Sequence, residues 1–79
     1  MATRTIYEAE RNWATLRVRM ISDARMYRSL AARNKTEGKQ DIALRFEAKA
    51  EVSEGVLRAM DYYEKLSDDV ARSLAGMSA

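Results

Sequence analysis

The side chains able to do chemistry in this 79-residue chain are arginines, carboxylates, tyrosines and one tryptophan; there is no histidine and no cysteine. Without an imidazole base the serines cannot be activated as in a Ser–His–Asp triad. The three glycines lie far apart and form no phosphate-cradling loop. A structural zinc site normally takes Cys or His. Glu47, Glu51 and Glu54 could offer oxygen atoms to a hard cation, but in a charged helical stretch they read as a solvated acidic face. These residues point to a chain that is not an enzyme and uses neither metal nor cofactor.

The arginines say more. Arg4, Arg11, Arg17, Arg19, Arg25, Arg28 and Arg33 all precede the first lysine, Lys35. Arginine is preferred over lysine at buried ion pairs, interfaces and phosphates. Arg17, Arg25 and Arg28 have no acid three or four residues away. Their partners are therefore Glu47, Glu51, Glu54 or Glu64 further along the chain, or water. Arg4, Arg11, Arg25 and Arg33, with Tyr7 beside them, form a basic ridge that could meet an anionic ligand, nucleic acid or a small nucleotide. Trp13 reads as a core anchor, where truncation to Ala costs about 3–5 kcal/mol if the ring is buried.

Helices must position these groups. The chain has no proline, and its commonest residues are good helix formers. Thr5-Ile6-Tyr7-Glu8 reads as a capping box. From there Ile6, Ala9, Trp13, Leu16, Met20, Ala24, Tyr27 and Ala31 recur in steps of three or four, one face of a helix over about 5–34. Asn34 and Gly38 are stop signals. A second helix starts near Gln40 or Asp41, with Ile42, Phe46, Ala50, Val56, Met60, Tyr63, Val70 and Leu74 as its stripe. Asp41–Arg45, Glu54–Arg58, Asp61–Lys65 and Asp68–Arg72 support it as i,i+4 pairs. At Ser67-Asp68-Asp69 the helix either continues to about Ala75 or gives way to a short third helix, and Gly76 then ends it.

A short connection makes the two long helices antiparallel. The expected fold is all-α, one domain over 1–79: a two-helix hairpin with Ile6, Trp13, Leu16, Met20, Phe46, Val56, Met60 and Tyr63 in its seam. Tyr27, Leu30, Ala31, Gly38, Ala43 and Ala50 are spaced in a way similar to the helix-turn-helix of a tetratricopeptide repeat, over residues 27–55. Asn34 and Glu47 stand where that repeat wants large apolar residues, helix 1 is too long, and stacking needs about three repeats. The resemblance is one of turn chemistry, not of membership.

A chain this short builds a marginal core on its own, and small proteins commonly add oligomerisation. Both helices have apolar residues on a second face: Tyr7, Ala14, Val18 and Ile21 on the first, and Leu44, Ala48, Gly55, Ala59, Tyr62 and Leu66 on the second. A helix apolar on two sides is buried on two sides. The expected assembly is a homo-oligomeric helical bundle, most simply a dimer with four long helices, held by the Leu44–Leu66 stripe. Residues 1–40 carry nine basic and four acidic side chains and residues 41–79 five and eight, which favours packing of the halves on each other. Tyr7, Arg11, Val18 and Arg25 mix apolar, aromatic and arginine character, the composition of a non-obligate interface.

The expected role is a non-enzymatic binding protein that docks on another protein as inhibitor, adaptor or regulator. A nucleic-acid or nucleotide binder is the alternative. No stretch is apolar enough for a membrane span, and residues 1–5 show no signal-peptide core, so the expected location is cytoplasmic. The abundance of Ala and Arg fits a bacterial or phage chain.

Overall fold

The computed structural model describes the backbone of residues 2–78 and the side chains of residues 8–77. Two helices, α1 (Ala2–Thr36) and α2 (Gln40–Ser78), form an antiparallel hairpin measuring 62 × 26 × 12 Å. No strand occurs among the described residues.

The reversal is built by the chemistry of residues 33–39. Gly38 takes a positive φ of 78°, the left-handed conformation that glycine adopts without a Cβ penalty. The Lys39 N–H donates to the Asn34 carbonyl at 2.8 Å and the Gly38 N–H to that of Lys35 at 3.1 Å. This is the paired closure of a Schellman motif, which satisfies the orphan carbonyls at a helix end. The Lys39 carbonyl then accepts from the Ala43 N–H at 3.0 Å and α2 begins.

Two expected boundaries move, and of the two alternatives at Ser67 the continuous helix is the one found. α1 starts at Ala2, so Thr5 lies inside the helix and not at its N-cap; its side chain is outside the described residues. α2 runs through Ser67-Asp68-Asp69 without a break, and no third helix forms. No proline removes a donor there, and Arg72 closes on Asp69 one turn away at 2.8 Å. Gly76 does not end α2 either. Glycine weakens a helix interior by about 1 kcal/mol but stops a helix only where it turns left-handed, which here is Gly38 alone.

The helices meet along a coiled-coil seam, apolar positions alternating in steps of three and four. On α1 the seam line is Trp13, Arg17, Met20, Ala24, Tyr27, Ala31 and Asn34, all buried or half-buried. On α2 it is Ala43, Phe46, Ala50, Ser53, Leu57 and Met60, likewise. The fully enclosed residues are small: Ala24, Ala31, Ala43, Ala50 and Ser53, with Met60 the one large side chain among them. Tyr27 stacks on Phe46 with ring centroids 6.2 Å apart.

The expected seam is therefore partly displaced. Trp13, Met20, Phe46 and Met60 lie in it, and Ile6 is outside the described side chains. Leu16 and Tyr63, 40% and 59% exposed, sit on its flank, as does half-buried Val56. Ile42 and Val70 are exposed too. The cause is phase. Ile42 and Val56 stand one position before Ala43 and Leu57 of the seam, Tyr63 and Val70 continue that seven-residue repeat, and Leu16 precedes Arg17 in the same way, so the helix turns them to the edge of the seam.

Candidate interaction surfaces

One flank of the seam is ionic. Glu47, Glu54, Asp61 and Asp68 repeat every seven residues along it, and two of them meet arginines of α1. Arg28 reaches Glu54 with a two-pronged hydrogen bond, 2.7 Å from Nη2 and 3.1 Å from Nε. Arg17 donates from Nη1 to Asp61 at 2.8 Å and from Nη2 to Glu64 at 2.7 Å. Glu64 also accepts from the Trp13 indole at 2.6 Å. These bonds favour the charged forms. The hydrogen bonds from Trp13 and then Arg17 hold the Glu64 carboxyl below its ordinary range. Arg28 does the same for Glu54. The Arg17 guanidinium is in turn held more firmly protonated by Glu64 and then Asp61.

Two of the three arginines that lacked a local acid thus find one across the seam, as the opposite charge of the chain halves implies. None of the four expected i,i+4 pairs of α2 closes to contact among the described residues. Glu54 and Asp61 are taken by α1, and Arg72 pairs with Asp69. Glu54 being so engaged, Glu47, Glu51 and Glu54 do not converge as a cation site, and no cluster of three such ligands occurs among the described residues.

The other flank is apolar. Ile42, Lys49, Val56, Tyr63, Val70 and Met77 repeat every seven residues along α2, and Leu16 and Leu30 fall on the matching flank of α1. Lys49 lays its ammonium 5.7 Å from the Tyr27 ring and 5.8 Å from that of Phe46, a cation–π arrangement. Beyond this flank the outer surface of α2 stays apolar through Val52, Ala59 and Leu66. Val52, Val56, Ala59, Tyr63, Leu66 and Val70 follow one another in steps of four and three, the spacing of a seam. At about 100° per residue this line lies roughly a third of a turn from the occupied seam. Val52 is 68% exposed, Tyr63 59% and Leu66 44%. α2 thus carries two seams, one filled by α1 and one open.

Gly55 borders the open seam. A Cβ at this position would meet only the Arg58 guanidinium, at 3.8 Å, so nothing within the hairpin requires glycine there, and α2 passes it as regular helix. The expected self-association stripe lies around it. Leu44, Ala48, Ala59, Tyr62 and Leu66 are exposed and Gly55 half-buried. Ala59 and Leu66 belong to the open seam, while Leu44, Ala48 and Tyr62 are turned further from α1. Residue spacing had located apolar character on the outside of α2; the phase became visible only once the occupied seam was known.

On α1 the outward surface is cationic. Arg11, Val18 and Arg25 lie on one line, with Arg19 and Met26 beside it, all exposed. The side chains of Arg11, Arg19 and Arg25 make no ion pair or hydrogen bond among the described residues, and the Arg33 guanidinium has only Glu37, at 3.7 Å. Ala14, Thr15, Val18, Arg19, Ser22 and Asp23 line a shallow open depression on this surface. Tyr7 and Arg4, expected here, lie outside the described side chains. A feature not singled out from the residues is an open notch of about 490 Å³ between the helices, lined by Glu10, Trp13, Tyr63, Glu64, Ser67 and Asp68. Its signal, acids and aromatics from distant segments, shows only after the hairpin is closed. Among the described residues no helix is long and apolar enough to cross a membrane. No protein-family model, curated protein or solved structure matches the chain.

Proposed function

We propose that the chain is a non-enzymatic helical binding protein that works as a homo-oligomer, most simply a dimeric four-helix bundle, and docks on another protein as inhibitor, adaptor or regulator. The observation that carries the oligomer is the surface. The hairpin exposes 6558 Å² for 9.0 kDa, where a compact monomer of that mass exposes about 4,900 Å². The excess of about 1,700 Å² per copy is what obligate homodimers bury. Its residue-level form, among the described residues, is a core of four alanines, Ser53 and Met60 beside twelve large apolar side chains left exposed.

The partner surface in this reading is the outer side of α1. Arg11, Arg19 and Arg25 interleave with Val18 and Met26 there, an arginine-rich mixed composition typical of non-obligate interfaces. Charge reversal tests it. Arg11→Glu with Arg25→Glu removes the protein retained from an extract of the source cells, and leaves sedimentation unchanged. Loss of the oligomer in this variant would show that the surface belongs to self-association instead.

The exposed arginines of α1 also support a second reading, an anionic ligand held along Arg11, Arg25 and Arg33, to which the sequence adds Arg4. A fluorescent single-stranded oligonucleotide distinguishes the two. Phosphate binding falls steeply between 50 and 200 mM salt, and protein docking through mixed apolar contacts does not.

A further inference from the structure

We propose that the outward line of α1 holds the phosphate backbone of duplex DNA, with Ser22 and Ser29 donating to phosphate oxygens between the guanidinium groups of Arg11, Arg19, Arg25 and Arg33. This deepens the anionic-ligand reading above, rests on it, and names the ligand.

The line is made by spacing. Thr15, Ser22, Ser29 and Thr36 recur every seventh residue, all exposed on the side of α1 turned away from α2. Seven residues advance a helix by about 10.5 Å and return it to nearly the same bearing. The arginines bracket this line. Ser22 has Arg19 three residues before it and Arg25 three after; Ser29 has Arg25 four before and Arg33 four after. Residues three or four apart are neighbours on a helix surface, so each serine hydroxyl stands between two guanidinium groups. Thr15 and Thr36 donate back to the carbonyls of Arg11 and Ala32, at 2.9 and 3.0 Å. Ser22 and Ser29 make no such bond among the described residues, and both are exposed.

Composition decides the ligand class. Contacts to nucleic-acid phosphates come from Arg, Lys, Ser and Thr side chains. A protein interface instead keeps apolar residues at its centre and polar ones at its rim. Here hydroxyls occupy the centre line, and Val18 and Met26 stand among the arginines at its sides. From Arg11 to Thr36 the one carboxylate is Asp23, half-buried and in seven-residue register with Leu16 and Leu30 on the apolar flank of the seam. Arg17 and Arg28 show the contrast, since both turn to carboxylates of α2. Single strands are gripped by stacking their bases on aromatic rings. Residues 11–36 put no aromatic on the outward line, as Trp13 and Tyr27 lie in the seam. A duplex needs no such platform. The major groove of B-DNA, about 12 Å wide, admits an α-helix between two rims of phosphates, and the arginines form two rows, Arg11 with Arg25 and Arg19 with Arg33.

Titration of the full chain against a fluorescent duplex of about 20 base pairs, between about 50 and 200 mM salt, tests this. Each phosphate-bound arginine contributes about 0.9 to the slope of log K against log salt. Arg19→Gln with Arg25→Gln is therefore expected to lower the slope by about 1.8, and Arg45→Gln, on α2, to leave it unchanged. Ser22→Ala with Ser29→Ala is expected to weaken binding by roughly five-fold per hydroxyl at unchanged slope, because a hydroxyl carries no charge. A single strand of the same length is expected to bind more weakly than the duplex. Circular dichroism confirms that each variant keeps its helices.

Each other outcome overturns a distinct part. If the single strand or a nucleoside triphosphate binds as tightly as the duplex, the anionic-ligand reading stands and the duplex is wrong. If the serine pair binds as the unmodified chain does, the hydroxyls are merely solvated and have no part in the contact. If duplex, single strand and triphosphate all fail to bind at about 50 mM salt, both readings fall and protein docking keeps the surface.

Discussion

Glu64 accepts hydrogen bonds from two residues of α1. It joins Trp13 and Arg17 of α1 to the far half of α2, and its proton affinity is lowered by the same bonds. The consequence for pH has a definite sign. As pH falls through about 4.3, the ordinary glutamate value, the unfolded chain takes up the proton first. Stability is therefore lost on acidification and is fully present above that range. Both partners are solvent-accessible, so the contribution is modest. Glu64→Gln is expected to melt below the unmodified chain at pH 7, with the gap closing by pH 2.5. A gap that stays constant between those values would mean the carboxylate charge plays no part.

Gly55 and Trp13 are decided by their surroundings in the same way. On helix propensity alone Gly55→Ala should stabilise α2 by about 1 kcal/mol. If the outer stripe of α2 around Gly55 packs on a second copy, the substitution weakens dimerisation instead. The expected result is weaker dimerisation with helicity retained; a higher melting temperature with unchanged dimerisation would place Gly55 outside any contact. Trp13 is half-buried, so Trp13→Ala is expected to cost about 2 kcal/mol, below the 3–5 kcal/mol of a fully buried aromatic. Thermal melts of the variant against the unmodified chain measure it.

At the scale of the helices, the residues buried deepest between α1 and α2 are alanines, Ser53 and Met60, with Trp13, Tyr27, Phe46 and Leu57 half-buried beside them. Ala50 is fully buried in this seam. Ala50→Leu is expected to wedge the helices apart at a cost of about 1–3 kcal/mol, the usual penalty of overpacking, read from denaturant melts. An unchanged midpoint would mean the seam has slack. The existence, direction and turn of both helices were legible in the residues, because periodicity, Gly38 and the absence of proline are local signals. The seam line of α1 was largely legible as well, through Trp13, Met20, Ala24, Tyr27 and Ala31. That of α2 was not. Spacing rewards large apolar residues, and Val56 and Tyr63 drew the line away from Ala43, Ser53 and Leu57. A small polar residue such as Ser53 gives no sequence signal of burial, and Ser67-Asp68-Asp69 gives a capping signal that an already propagating helix overrides. The arginine partners were legible only by class: charge balance pointed to acids of the second half, and the hairpin register chose Glu54, Asp61 and Glu64.

At the scale of the whole molecule, the hairpin is two-sided. One flank of the seam is closed by ion pairs, the other is apolar and continues onto the outside of α2, and the outside of α1 presents arginines. Self-association on α2 would leave α1 of each copy free, so the oligomer would present two copies of the same cationic surface related by symmetry. The central claim is that the hairpin does not stand alone. Sedimentation equilibrium of the unmodified chain from about 1 to 100 μM tests it directly. The expected result is a particle of twice 9.0 kDa, or a larger multiple, whose melting temperature rises with concentration. A particle of 9.0 kDa that melts cooperatively at a temperature independent of concentration would contradict the account.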